Sequence, residues 1–169
     1  MKKKALNLIV VLALCFFSNS LLATEGHWAA GDLYNLKDKH KLEVEGNLDQ
    51  PADQAVQEEV FKLIGIKKRP RNELLRFRIF YYMVESLPIE SPGDEECNEI
   101  LRDFADVCNY CQKNNRTLGT AKKIGLLRGR KTEEGLVMAI DQPVTRAELG
   151  VLAMRYLKIK DTLKEIQDQ

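Results

Sequence analysis

The sequence predicts an all-α fold, a helical bundle built from repeated helix-loop-helix units with short helices. Three observations carry that expectation. Apolar residues recur at the 3.6-residue period in several separate segments. Asp, Pro and Gly punctuate the boundaries between those segments. The tripeptide Asp-Gln-Pro stands before two of the helices, at Asp49-Gln50-Pro51 and at Asp141-Gln142-Pro143. With 169 residues, 44% apolar and 30% charged, the chain has material for one compact domain or two small repeats.

Residues 1–23 stand apart. Lys2, Lys3 and Lys4 precede an apolar run from Ala5 to Phe17, then Ser18-Asn19-Ser20 and Leu21-Leu22-Ala23. This is the layout of a secretory signal peptide with cleavage before Thr24. The apolar run is shorter than the roughly 20 residues that cross a bilayer, so no membrane span is expected after cleavage. A retained anchor and lipidation of Cys15 are the alternatives; Leu14 is large where a lipidated cysteine follows a small residue. Cleavage removes three lysines and no acids, turning 26 basic and 25 acidic residues into 23 and 25. No positive excess remains of the kind that reads a phosphate backbone, which excludes a nucleic-acid partner.

The elements follow in order. Ala29, Leu33 and Leu36 place one apolar stripe on a short helix from His27 to about Leu36. After a polar stretch ending in Pro51, Asp53 is the expected N-cap of a second helix carrying Val56, Val60, Leu63 and Ile64, stopped by Gly65. Beyond the basic loop Lys67-Lys68-Arg69-Pro70, the segment Leu74 to Leu87 is apolar around most of its circumference and is expected to be the central buried helix. Pro88 and Pro92-Gly93 break the chain, and Asp94 is the expected cap of a helix bearing Cys97, Ile100, Leu101, Phe104 and Ala105. A short helix from Leu118 to about Ile124 ends at Gly125, followed by a loop holding Gly129 and Gly135. The strongest local signal is Thr145 with Glu148 three residues on, a capping box opening a helix with Leu149, Leu152, Ala153, Tyr156 and Leu157 on one side.

Chemistry-bearing residues are sparse. Two histidines, His27 and His40, and scattered carboxylates give no catalytic spacing, so no enzyme, metal or cofactor is expected. Three cysteines survive signal cleavage, Cys97, Cys108 and Cys111, and export favours a disulfide among them or buried thiols. Cys108 and Cys111 have the CxxC spacing of redox and zinc sites, but no second CxxC accompanies them. Asn115-Arg116-Thr117 matches a glycosylation sequon.

Pro143-Val144-Thr145-Arg146-Ala147-Glu148-Leu149, with Leu152 and Arg155-Tyr156-Leu157, resembles the signature helix of S-layer homology modules. Phe104-Ala105-Asp106-Val107 resembles the module opening, and Ile124-Gly125-Leu126-Leu127-Arg128-Gly129 the mid-module turn. Gly26-His27-Trp28-Ala29 resembles the opening of a preceding module. The resemblance divides the chain into a signal peptide (1–23), a degenerate first module (25–66), a central segment with a partial repeat (67–103), a second module (104–159) and a polar tail (160–169). In the first module Asp53-Gln54-Ala55-Val56 replaces Thr145-Arg146-Ala147-Glu148. In the central segment Arg71-Asn72-Glu73-Leu74 repeats the Arg-x-Glu-Leu pattern, and in the second module Tyr110 takes the position of a tryptophan.

What the resemblance implies is a pseudo-threefold helical bundle that binds secondary cell-wall polysaccharide, often pyruvylated, without catalysis. It assigns ligand binding to Arg146, Thr145 and Glu148, to Arg71 and Glu73 in the central segment, and to the rings of Trp28 and Tyr110. The chemistry is consistent: guanidinium forks match a carboxylate, and exposed rings stack on sugar faces. The alternative expectation is an exported assembly subunit that kept the scaffold and lost the sugar, its partner a second copy or another cell-surface protein.

Overall fold

The computed structural model describes residues 26–67, 75–107 and 114–168. Among them the fold is mostly helical, with six helices and one small hairpin: α1 (Ala30–His40), α2 (Gln54–Ile64), α3 (Arg76–Glu85), α4 (Asp94–Leu101), α5 (Asn115–Lys123), β1 (Arg130–Thr132), β2 (Gly135–Val137) and α6 (Arg146–Gln167). Helix α6 packs on α1 and α2, while α5 packs on α3 and α4. No helix among the described residues is long and apolar enough to cross a membrane. Residues 1–23, the expected signal peptide, and Arg71, Glu73, Cys108, Tyr110 and Cys111 lie outside the described residues.

Local signals place the starts of α2 and α6 where the sequence puts them. Asp53 Oδ1 accepts from the Val56 N–H at 3.0 Å, and Gly65 closes α2 with a left-handed φ of +80°. Thr145 Oγ1 accepts from the Glu148 N–H at 3.2 Å, and Glu148 Oε2 accepts from the Thr145 N–H at 3.1 Å, completing the capping box. The central helix is buried as its composition demands: Phe77, Ile79, Phe80, Met83 and Val84 all lie in the main core.

Several boundaries differ. Helix α1 starts at Ala30 and runs to His40; Ala29, Leu33 and Leu36 still form its buried stripe. Helix α3 starts at Arg76, with Leu75 as a half-exposed N-cap. Gly93, not Asp94, caps α4, and Asp94 instead pairs with Arg116 at 2.8 Å. Helix α4 ends at Leu101 because Phe104 turns into the core, leaving Phe104 and Ala105 outside the helix. Helix α5 starts three residues early, at Asn115, and α6 continues to Gln167 through the segment read as a tail. The expected Gly129–Gly135 loop is a hairpin, with Arg130 opposite Val137 and Thr132 opposite Gly135. Three-residue strands are too short to show an alternating pattern.

Cys97 is a free, fully buried thiol and not part of a disulfide. Its Sγ donates to the Pro92 carbonyl at 3.6 Å, and it faces Gly119, where a Cβ would come within 2.6 Å of the sulfur. Burial and the nearby charges of Asp94 and Glu96 push that thiol above its ordinary value, which keeps it protonated. The sequon residue Asn115 is buried, and its Nδ2 donates to Asn98 Oδ1.

The loops before α2, α3 and α6 meet in a short ladder. Ala52 N–H donates to Val144, Arg146 N–H to Gln50 and Ala147 N–H to Leu48; on the other side Arg76 N–H donates to Gln142 and Phe77 N–H to Ile140. Pro51 bridges Thr145, and Leu75 bridges Pro143. Both Asp-Gln-Pro tripeptides therefore sit in the junction that fixes the starts of these helices.

Candidate functional site

A pocket of about 390 Å³ opens beside this junction, lined by residues that include Trp28, Asp49, Phe80, Thr145 and Glu148 and by four arginines, Arg76, Arg128, Arg130 and Arg155. Its floor is apolar: Phe80, Leu126, Val151 and Leu152 are buried. Its rim carries Trp28, 62% exposed, whose ring lies 5.5 Å from that of His27.

Glu148 is the hub. Its Oε1 accepts from Arg76 Nη1 at 2.8 Å and from Arg130 Nε at 2.6 Å, and its Oε2 accepts from Arg130 Nη2 at 2.6 Å as well as from the Thr145 N–H. Four donors saturate the carboxylate. Burial alone would raise Glu148, but Arg130's hydrogen bonds, the charge of Arg76 and the Thr145 N–H together hold it below the ordinary glutamate value. Arg76 is only 5% exposed; its Nε donates to the Met138 carbonyl at 3.0 Å and its guanidinium lies 5.6 Å from the Phe80 ring centroid. Asp106 holds the other side of the same stretch, accepting from the Met138 and Ala139 N–H groups at 2.7 and 2.8 Å.

The open side of the pocket is differently balanced. Arg128 and Arg130 flank Gly129, whose φ of +77° and missing Cβ let the chain press against Phe104 and Val137. Arg155 makes one long hydrogen bond, Nη1 to the Leu126 carbonyl at 3.4 Å. Burial first, then the like charge of Arg128, push its guanidinium below the ordinary value, with Asp32 acting against them. Among the described residues neither Arg128 nor Arg155 has an ion-pair partner. Asp49 is engaged by His27 Nε2 at 3.2 Å.

Of the residues expected to bind ligand, the structure brings Trp28, Thr145 and Glu148 into one pocket and leaves Arg146 out. Arg146 Nη2 pairs with Asp53 Oδ2 at 2.6 Å, and its Nη1 donates to the Glu45 carbonyl at 2.6 Å. Gly46 makes room for it, since a Cβ there would approach Nη1 to 2.9 Å. It lines a separate concavity with Lys41, Glu43, Glu45 and Glu59, where three carboxylates outnumber two cations and disfavour an anion. Thr145 and Glu148 are committed to the capping box and the arginine pair. Of the arginines that face the pocket, Arg128 and Arg155 stand within the resembling motifs without a ligand role, and Arg76 and Arg130 stand in none. The alternation Arg128-Gly129-Arg130 is the one local signal that could have pointed to two of them.

No protein family, curated protein or solved structure matches the chain. Among the described residues no group of three or more His, Cys, Asp or Glu is placed to hold a metal ion.

Proposed function

We propose that this chain is an exported, non-catalytic binder of anionic cell-wall polysaccharide, related in design to S-layer homology modules, and that its ligand enters the Trp28 pocket rather than meeting Arg146. The observation that carries the reading is an exposed indole at the rim of a pocket in which four guanidiniums face two carboxylates. Planar guanidinium forks suit carboxylate or phosphate groups, and an exposed indole suits a sugar face. The exposed indole beside charged walls fits a pyranose ring, which presents both apolar and polar surface.

The repeat reading gains support from the helix starts. Asp53, Leu75 and Thr145 are the N-caps of α2, α3 and α6, and the next residues are Gln54, Arg76 and Arg146. Three helices thus open from one ladder with equivalent first positions, the arrangement a pseudo-threefold bundle of modules requires. In that register Arg76, not Arg71, is the central counterpart of Arg146.

The second reading, an assembly subunit on the same scaffold with a second copy or another surface protein as partner, is favoured by one fact: Arg146 is consumed by Asp53 and Glu45. Co-sedimentation with purified cell walls separates the two. The glycan reading expects the protein in the pellet, lost when the non-peptidoglycan polymer is extracted and lost with Trp28→Ala. Retention of Trp28→Ala on walls stripped of that polymer would favour the assembly reading.

A further inference from the structure

We infer that the open half of the pocket is a subsite for a doubly charged anion of the phosphate-monoester class, held between Arg128 and Arg155 beside Trp28. This deepens the glycan-binding reading by naming the group on the sugar, and it has its own test.

The pocket's two carboxylates are already used. Glu148 accepts four hydrogen bonds from Arg76, Arg130 and the Thr145 N–H, and Asp49 is engaged by His27. Neither reaches Arg128 or Arg155. Four guanidiniums against two carboxylates leave an excess of two positive charges in the lining, and Arg128 and Arg155 are the two arginines there without an ion pair. Burial first, and then the like charge of Arg128, lower the Arg155 guanidinium against the pull of Asp32. Each guanidinium brings five N–H donors, of which Arg155 spends one on the Leu126 carbonyl.

A single carboxylate has two oxygens and one charge, so it cancels one arginine and leaves the other facing a partly apolar wall. A phosphate monoester has three outer oxygens and close to two charges at neutral pH. It can accept from both forks at once and cancel both charges. The ester linkage leaves the sugar free to lie against the exposed ring of Trp28.

Trp28 is the only tryptophan in the chain, so its emission reports on this pocket alone. The experiment titrates the intact protein, at fixed ionic strength, with glucose 1-phosphate, inorganic phosphate and glucuronate. Trp28 fluorescence is read in parallel with isothermal calorimetry, which detects binding that leaves the indole undisturbed. Half-saturation by glucose 1-phosphate is expected at a concentration at least tenfold below that of glucuronate, with inorganic phosphate competing for the same site. Arg128→Gln and Arg155→Gln should each raise it at least tenfold; Arg116→Gln, whose pair with Asp94 lies outside this pocket, should leave it unchanged. Arg128 is exposed, so its variant folds normally. Glucuronate binding as tightly as the sugar phosphate, no response to glucose 1-phosphate, or a response that survives both substitutions would each overturn the inference. Wall co-sedimentation that depends on Trp28 without any response to glucose 1-phosphate would remove the phosphate subsite and leave the glycan reading standing. A phosphate response without wall binding would do the reverse.

Discussion

Arg76 Nη1 lies 2.8 Å from Glu148 Oε1, although 72 residues separate the two in the chain. Arg76 is the first residue of α3 and Glu148 sits in the first turn of α6, so one ion pair fixes two helix starts against each other. It also sets the pocket, because the same carboxylate fixes Arg130.

Removing the carboxylate should therefore be costly. Glu148→Ala leaves Arg76 buried without a counter-ion and deletes half of the capping box. A broken buried pair costs about 3 to 5 kcal/mol. Urea denaturation should show a loss of that size, whereas Arg116→Ala, which breaks an exposed pair, should change stability by no more than about 1 kcal/mol.

The same carboxylate predicts an acid limb. Glu148 is held below its ordinary value in the folded state, so it binds protons less readily there than in the unfolded chain. Its contribution is fully present above the unfolded value of about 4.5 and is lost as pH falls through the lower folded value. Stability measured from pH 7 to pH 3 should decline below about 4.5, and Glu148→Gln, although less stable at pH 7, should show a flatter decline. Equal acid slopes for the two proteins would assign the limb to other carboxylates.

Gly129 and Gly125 make a controlled comparison, since both have φ of +77°. A Cβ at Gly125 meets nothing within 4 Å, so Gly125→Ala carries only left-handed strain, about 1 to 2 kcal/mol. At Gly129 the Cβ would lie 2.6 Å from Phe104 Cε1 and 2.8 Å from the Val137 carbonyl oxygen, which is backbone and cannot swing aside. Gly129→Ala should melt at a clearly lower temperature than Gly125→Ala and should shift Trp28 emission by displacing Arg128 and Arg130.

These residues also show which parts of the fold were legible beforehand. Asp53, Gly65 and the Thr145–Glu148 box act within one helical turn, so their roles are written in adjacent residues, and the structure places them as read. Helical periodicity located the buried face of α1 for the same reason, and apolar composition marked α3 as the central helix. The hairpin escaped because β1 and β2 have three residues each. Arg76 escaped because its partner is 72 residues away, and Arg146 was given to a ligand because Asp53, 93 residues earlier, was read only as a cap. Asp53 does both, its Oδ1 capping α2 and its Oδ2 holding Arg146. A motif records which side chains leave a helix start, while their partners are fixed only by the fold.

Arg146→Ala is accordingly expected to lower stability by roughly 1 to 2 kcal/mol, the worth of a charge-assisted bond to a carbonyl plus a half-exposed pair. It should leave the Trp28 pocket unchanged. Asp53→Ala should cost more, because it removes the N-cap of α2 as well, a further ~1 kcal/mol. A double-mutant cycle should return a coupling between Arg146 and Asp53; a coupling of zero would mean the 2.6 Å contact contributes nothing.

Trp28 and Tyr34 are two exposed rings in different surroundings. They are 62% and 66% exposed, so truncating either removes little buried surface and should leave the unfolding midpoint within about 0.5 kcal/mol of the parent. Only Trp28 lines the arginine pocket. If the pocket binds glycan, Trp28→Ala should reduce wall co-sedimentation by about tenfold, the worth of an aromatic contact near 1.4 kcal/mol, while Tyr34→Ala sediments like the parent. Arg155→Gln should weaken sedimentation alongside Trp28→Ala, because both act on one ligand, and the double variant should fall short of the sum if they grip adjoining parts of it. Equal losses from Trp28→Ala and Tyr34→Ala would place the contact on the exposed face of α1, and the pocket would then be a structural cluster of arginines rather than a binding site.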